Sequence, residues 1–239
     1  MDKIELIQHW NYFCSLADRL DDTKHYIDHG IRVHKGIIRL VHGKVYSDIF
    51  RQIIVLASSE FEIMCKALCD SHGSEVKGIV NISKTILEIF PRIIDFEVST
   101  PFWTNLPLHG WKVISDTNGG NMKVEGLEWW FAYNSIKHNE KKSIQSSTLE
   151  NAIIALESLY IIELYLMKEL FGSMEFVYTY PTAYFKCKYL SHPVSSGEGL
   201  LPDYGNLSPG ERIERAYPKL FKDSSENNNI RNNRGDGRT

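Results

Sequence analysis

The 239-residue chain predicts an all-α fold: a helical bundle of about five helices, with a small insertion and an extended C-terminal arm. Three observations predict it. Apolar residues recur at three- and four-residue spacing through successive stretches up to Gly172. Pro and Gly gather in 91–124 and again beyond 172, where helical period stops. An apolar fraction of 43% beside a charged fraction of 24% is that of an ordinary globular chain able to bury a core.

The first helix follows from Ile4, Ile7, Trp10, Phe13, Ala17 and Leu20. A weaker helix is expected from about Thr23 to His42, with Ile27, Ile31, His34, Ile38 and Val41 inward, although Gly30 and Gly36 count against it. A third, about Ser47 to Ser71, turns Phe50, Ile53, Ala57, Phe61, Met64 and Leu68 to one side. A fourth runs from about Glu75 to Phe90 and must stop or bend at Pro91.

The segment 91–124 reads as an insertion. Ile94–Val98 and Trp111–Ile114 have strand character, and one small hairpin is expected there. Helix resumes at about Gly126 to Asn139, and a polar loop runs from Glu140 to Ser146. The last long helix opens on Ser147-Thr148-Leu149-Glu150, which fits a capping box, and ends near Gly172. The domain plan is thus a helical domain over 1–172, a C-terminal arm over 173–222, and a tail over 223–239 whose Asn, Gly, Arg and Ser predict disorder.

Several function classes recede. A net charge of −3 makes no general basic surface, so any nucleic-acid contact must come from a local patch. Cys14, Cys65, Cys69 and Cys187 form no Cys-x-x-Cys, and Cys65 and Cys69 read as small buried hydrophobes. The N-terminus shows no basic region followed by an apolar run, and no apolar stretch is long enough to span a bilayer, so a cytoplasmic chain with reduced thiols is expected. His25 and His29 have the one-turn spacing of zinc ligands, but Gly30 breaks the helix. A solvated face with His34 in the core is the preferred reading, and no metal or cofactor is expected. Gly119-Gly120 is a turn without phosphate-loop context, and no Gly-x-Ser-x-Gly occurs. The aromatic segment from Phe176 to Phe185 could stack bases; packing over a core or a dimer seam is the commoner use.

The informative helix holds Trp129-Trp130-Phe131-Ala132-Tyr133-Asn134-Ser135-Ile136-Lys137-His138. With about 100° per residue and Trp130 at zero, Asn134 falls near 40°, His138 near 80° and Phe131 near 100°. The polar pair is therefore expected inside an aromatic stripe, with Tyr133 and Lys137 as a second one-turn pair beside it. A buried amide or imidazole needs partners, in the fold, a second subunit or a ligand. Lys137, Lys141 and Lys142 add positive charge suited to a phosphate backbone. Glu60, at the margin of its stripe, could hold an imidazole in one tautomer or simply reach water.

This motif, the helix beginning Leu149-Glu150-Asn151-Ala152, and the stretch Ala57-Ser58-Ser59-Glu60-Phe61-Glu62 together resemble the HEPN family, the helical domain of many prokaryotic toxins, antiphage systems and RNA-processing enzymes. The resemblance covers about 2–172, with 91–124 inserted. It implies a dimer in which two motif helices meet and form a metal-independent site, where an RNA 2′-hydroxyl attacks its own phosphate. Histidine would assist proton transfer and arginine would stabilise phosphate charge. The family's asparagine and histidine positions match Asn134 and His138; its arginine position falls on Tyr133, which has no charge for that task. Lys137 could substitute only as a point charge.

The expectation is a HEPN-like RNA-binding protein or endoribonuclease in a defence or toxin–antitoxin setting. Its pocket would hold His138, Asn134, Lys137 and Tyr133, with Glu60 behind and Lys137, Lys141 and Lys142 on RNA. It would be a homodimer, with an antitoxin or defence protein as a possible further partner. The competing expectation is a non-catalytic dimerisation or interaction module with a structural Asn134–His138 pair. A third is a small-molecule or nucleotide binder using the aromatic lining.

Overall fold

The computed structural model describes residues 1–35, 37–115, 121–138, 143–172 and 184–187. All of these lie in one unit, Met1–Leu200; the second unit, Leu201–Thr239, falls outside the described residues. The described chain is mostly helical. Its helices are α1 (Lys3–Asp22), α2 (Asp48–Ser71), α3 (Ile79–Ile89), α4 (Glu128–Lys137), α5 (Ser143–Ser146) and α6 (Leu149–Phe171). Its short strands are β1 (Ile31–His34), β2 (Ile37–Leu40), β3 (Val98–Ser99), β4 (Thr104–Asn105), β5 (Lys112–Ser115), β6 (Met122–Glu125) and β7 (Lys186–Cys187). None of the helices is long and apolar enough to cross a membrane.

The bundle forms around α6. That helix is apolar on every side, and sixteen of its residues are buried, from Leu149 to Met167. Helices α1, α2 and α4 pack around it. From α1 come Leu6, Trp10, Phe13, Leu16, Ala17 and Leu20. From α2 come Phe50, Ile53, Ala57, Phe61, Met64 and Leu68, the stripe that helical period predicts. Helix α1 starts at Asp2, whose carboxylate accepts from the Ile4 and Glu5 N–H groups while Glu5 reaches back, a complete capping box.

The expected helix over 23–42 is not there. A 3-10 turn, Thr23–His25, leads instead to the antiparallel pair β1–β2, with Ile31 opposite Leu40 and Val33 opposite Ile38. The reason lies in the residues themselves. Ile31, Val33, Ile37 and Ile38 are β-branched, and Gly30 and Gly36 are poor in a helix. Lys35 turns the chain with a left-handed φ of 50°. The core histidine is accordingly His29, not His34, which is exposed on β1.

His29 is fully bonded. The Thr23 hydroxyl donates to the Leu20 carbonyl at 2.7 Å. Its oxygen therefore accepts from His29 Nε2–H at 2.9 Å, which leaves Nδ1 to accept from the Tyr184 hydroxyl at 2.7 Å. Burial favours the neutral ring and pushes its pKa down to about 4. Tyr184 and Phe185 come from beyond Gly172 and fill the core against Phe13 and Tyr160. The next residues form β7, which pairs with β3 in the order β4-β3-β7. Of the patch Phe176–Phe185, read from sequence as stacking bases or packing over a core or dimer seam, only Tyr184 and Phe185 are among the described residues, and they pack into the core.

The insertion is less regular than expected. Pro91 feeds a 3-10 turn to Asp95, so pairing begins only at Val98. The expected strand at Trp111–Ile114 is β5, but it pairs with β6, a segment not read as a strand from sequence, in a hairpin with Val113 opposite Val124. At its foot the backbones of Gly110 and Gly126 touch. Gly126 has φ +82°, and a Cβ there would lie 2.0 Å from the Gly110 carbonyl oxygen. This contact sets the point from which α4 starts.

The start of α6 also differs from expectation. Its N-cap is Thr148, whose hydroxyl accepts from Asn151 N–H, and Ser147 donates to the Ser143 carbonyl instead. Glu150 is drawn to Lys44 at 2.7 Å, so it does not close a capping box. The bridge between Tyr46 and Thr148 ties the chain down at Thr148 and moves the cap by one residue. The C-terminus is as expected: Gly172 adopts φ 68°, ψ −1°.

Two predictions follow from this packing. Gly126→Ala adds both strain and a clash, and should lower unfolding free energy by about 2 kcal/mol or more in urea titration. The second concerns Glu157, buried on α6 and accepting from Asn105 at 2.8 Å. Desolvation pushes its pKa up to about 8, and that of Glu163 well above the usual range. An acid protonated in the fold and ionised when unfolded contributes stability at low pH that is lost as pH rises through its folded pKa. His29 acts oppositely: below about 6.5 the unfolded ring gains a proton that the folded ring refuses until about 4. The two opposing slopes leave stability greatest in mildly acidic solution, with a decline toward pH 8. Glu157→Gln should flatten that decline and gain about 1 kcal/mol or more at pH 8, but little at pH 5, in urea unfolding at both values.

Candidate functional site

Helix α4 has a sharply divided surface. Trp129, Trp130, Ala132, Tyr133 and Ile136 are buried, at spacings that make one helical face against α2 and α6. Trp129 stands edge-on to Phe61 at 4.9 Å, and Phe61 in turn lies 5.9 Å from Trp111. The Trp111 indole N–H donates to the Ser83 hydroxyl at 3.0 Å, which links α4's seat to α3. These rings fix the rotation of α4 about its axis.

That rotation turns the other face outward. Phe131, counted from sequence in the inward stripe, is 50% exposed. Asn134 is half-buried, and Lys137 and His138 are exposed. The polar pair is therefore at an open surface and not within an aromatic stripe. Neither side chain forms a hydrogen bond or ion pair with another described residue. His138 caps the helix: its backbone N–H bonds the Asn134 carbonyl at 2.9 Å, and its ring leaves the last turn into solvent.

Tyr133 and Glu60 lie elsewhere. Tyr133 is buried, with its hydroxyl 3.5 Å from that of Ser59. The Lys137 ammonium sits 5.5 Å from the Tyr133 ring centroid, so the tyrosine acts as a seat for the lysine's charge. Glu60 is next to Ser59 on α2, about 100° round the helix, and it faces α1. Its carboxylate bonds Nδ1 of His9. Sequence reasoning anticipated that Glu60 could hold an imidazole; the imidazole is His9, which it did not single out. The available signal was His9's place beside Trp10 on the edge of α1's buried stripe. Lys141 and Lys142 lie outside the described residues.

The Glu60–His9 pair belongs to a second polar centre, where α1, α2 and α6 meet. Glu163 of α6 is fully buried there, and neither of its oxygens has a hydrogen-bond partner among the described residues. Burial and the nearby Glu60 both favour its neutral form. The same surroundings push the Cys14 thiol up to about 12, through burial first and Glu163 second. Burial also raises Cys65, and pushes Cys69 up to about 11. Thiols held protonated in this way are poor nucleophiles and metal ligands. Among the described residues no group of three or more His, Cys, Asp or Glu is placed to hold a metal ion.

What remains on the open face of α4 is an imidazole, an amide, an ammonium and an aromatic ring. The imidazole can accept or donate a proton, and the ammonium can neutralise a phosphate. The amide can bond either a phosphate oxygen or a base edge. Searches against family models, curated proteins and solved structures return no match for this chain.

Proposed function

We propose that this chain is a HEPN-like RNA-binding protein that uses the open face of α4. Asn134, Lys137 and His138 contact the RNA backbone, and Lys141 and Lys142 extend the contact beyond the helix. The observation that carries this reading is the state of the His138 ring: exposed, without a bond to another described residue, and flanked on its helix by Lys137 and Asn134. A histidine that merely tied α4 to its neighbours would be buried and paired, as His29 is. The setting we propose is defence or toxin–antitoxin function, with an antitoxin or defence protein as possible partner.

In its catalytic form the same reading needs two copies of the chain, each supplying one imidazole to a shared cleft. One ring takes the proton from the 2′-oxygen as that oxygen attacks phosphorus. The other gives a proton to the departing 5′-oxygen, leaving a cyclic phosphate and a free 5′-hydroxyl. With Tyr133 buried, Lys137 is the cation nearest to such a phosphate on this helix. A second reading, the non-catalytic dimerisation module, is favoured by Phe131, a half-exposed ring at the centre of the same face.

Fluorescence anisotropy with a labelled single-stranded RNA, in EDTA, tests both readings. Lys137→Ala should weaken binding and reduce the log–log salt slope by about 0.7, the share of one single-strand phosphate contact. His138→Ala should weaken binding with an unchanged circular dichroism spectrum, and should abolish any cleavage seen on gels. Unchanged binding and cleavage in both variants would refute RNA recognition by α4. Phe131→Asp tests the second reading by light scattering: loss of a dimer with RNA binding intact identifies α4 as an assembly face.

A further inference from the structure

The chain's formal charge is −3, yet 29–47 contains no Asp or Glu. Arg32, Lys35, Arg39 and Lys44 give that run four cations, and His29, His34 and His42 three imidazoles. The fold concentrates it on the β1–β2 ribbon. Arg32 stands directly opposite Arg39 across the strands. Alternation along a strand puts this pair on one face with His34, and puts Val33 and Ile38 on the other. Both arginines are exposed, and neither has an ion-pair partner among the described residues. Like charges directly opposite each other in a hairpin cost stability, and here no carboxylate offsets the cost.

The arginines also line an open cleft of about 720 Å³, together with His42, Lys44 and Glu150. Glu150 is the one carboxylate among its lining residues, and it is committed to Lys44 at 2.7 Å. The cleft therefore keeps an excess of positive charge on Arg32 and Arg39. That charge comes from side chains, not from the start of α6, because the Leu149 and Glu150 N–H groups are bonded to the carbonyls of Val45 and Gly43. The same loop is stitched to the segment that follows α4, through Ser47 N–H on the Ser147 carbonyl at 3.2 Å.

We propose that the β1–β2 ribbon and the cleft at its foot form a second binding surface for the RNA backbone, with Arg32 and Arg39 clasping one phosphate between them. A guanidinium offers a planar fork of donors that matches phosphate oxygens, and two forks facing one anion turn a repulsion into a site. The choice of RNA as the polyanion rests on the reading of α4; the surface itself is separate from that helix. The sequence signal is the acid-free run, which a whole-chain charge conceals.

The test uses the full chain and one labelled single-stranded RNA, titrated by anisotropy across a range of KCl. Arg32→Ala/Arg39→Ala should weaken binding about tenfold and lower the log–log salt slope by about 0.7, the share of the one single-strand phosphate that they clasp. Arg32→Lys/Arg39→Lys should keep the slope and lose part of the affinity. Both native side chains are exposed, so circular dichroism and Tm should stay as in the parent or improve. Affinity within twofold of the parent with an unchanged slope overturns the proposal. So does tighter binding of the parent to phosphatidylserine vesicles than to RNA, with the double alanine variant defective only on vesicles. Lys137→Ala/His138→Ala serves as the parallel arm. If the arginine variant is defective and this one is not, the ribbon stands and the α4 reading fails; the reverse pattern overturns the ribbon alone.

Discussion

The architecture depends on the burial of α6 on nearly every side between Leu149 and Met167. A helix that is apolar all round cannot lie on a surface, so every neighbour must cover part of it. Helices α1, α2 and α4 do so, and Tyr184 and Phe185 return from beyond Gly172 to close the remaining gap over Phe13 and Tyr160. The same burial encloses two carboxyl groups, Glu157 and Glu163. A buried ionised carboxylate is expensive, and these two escape the cost by holding their protons. Such groups spend stability near neutral pH, which an unconstrained core would have no reason to do.

Packing on α6 also decides what α4 can offer. Its tryptophans lock against Phe61, which itself packs on Trp111, so its outward side is left with Phe131, Asn134, Lys137 and His138. Ser59 and Glu60, adjacent on α2, then look toward different helices: Ser59 toward Tyr133, Glu60 toward His9. One dipeptide thus separates two polar centres. The first is open to solvent on α4. The second sits where α1, α2 and α6 converge, with Glu163 and Cys14 near it.

Helical stripes were legible wherever one residue type dominated a face. The stripe of α2 was readable in full, because Phe50, Ile53, Ala57, Phe61, Met64 and Leu68 share one side; Ile54, Ser58, Glu60, Cys65 and Cys69 widen that buried face beyond the stripe. On α4 the rule failed by one step. Trp129, Trp130, Phe131 and Tyr133 surround most of the helix, so apolarity alone could not say which side faces inward. The stretch 23–42 misled for a related reason: Ile27, Ile31, Ile38 and Val41 fit a helical stripe, while Ile31, Val33, Ile37 and Ile38, also β-branched, suit a strand. The Glu60–His9 bond joins residues 51 positions apart, a distance at which no periodic pattern carries information.

Sequence by itself determined the predominance of helix, the place of α2, the stop at Pro91, the strand β5 within the insertion and the end of α6 at Gly172. Each rests on interactions within a few residues, or on backbone limits of Pro and Gly, which act without the rest of the molecule. Tertiary structure alone decided that His29 and not His34 enters the core, that Thr148 and not Ser147 caps α6, that Tyr133 turns inward while His138 stays in solvent, and that Arg32 meets Arg39. Those outcomes depend on which distant surface each side chain meets. Contact across the fold, unlike helical period, is settled only when the whole core closes.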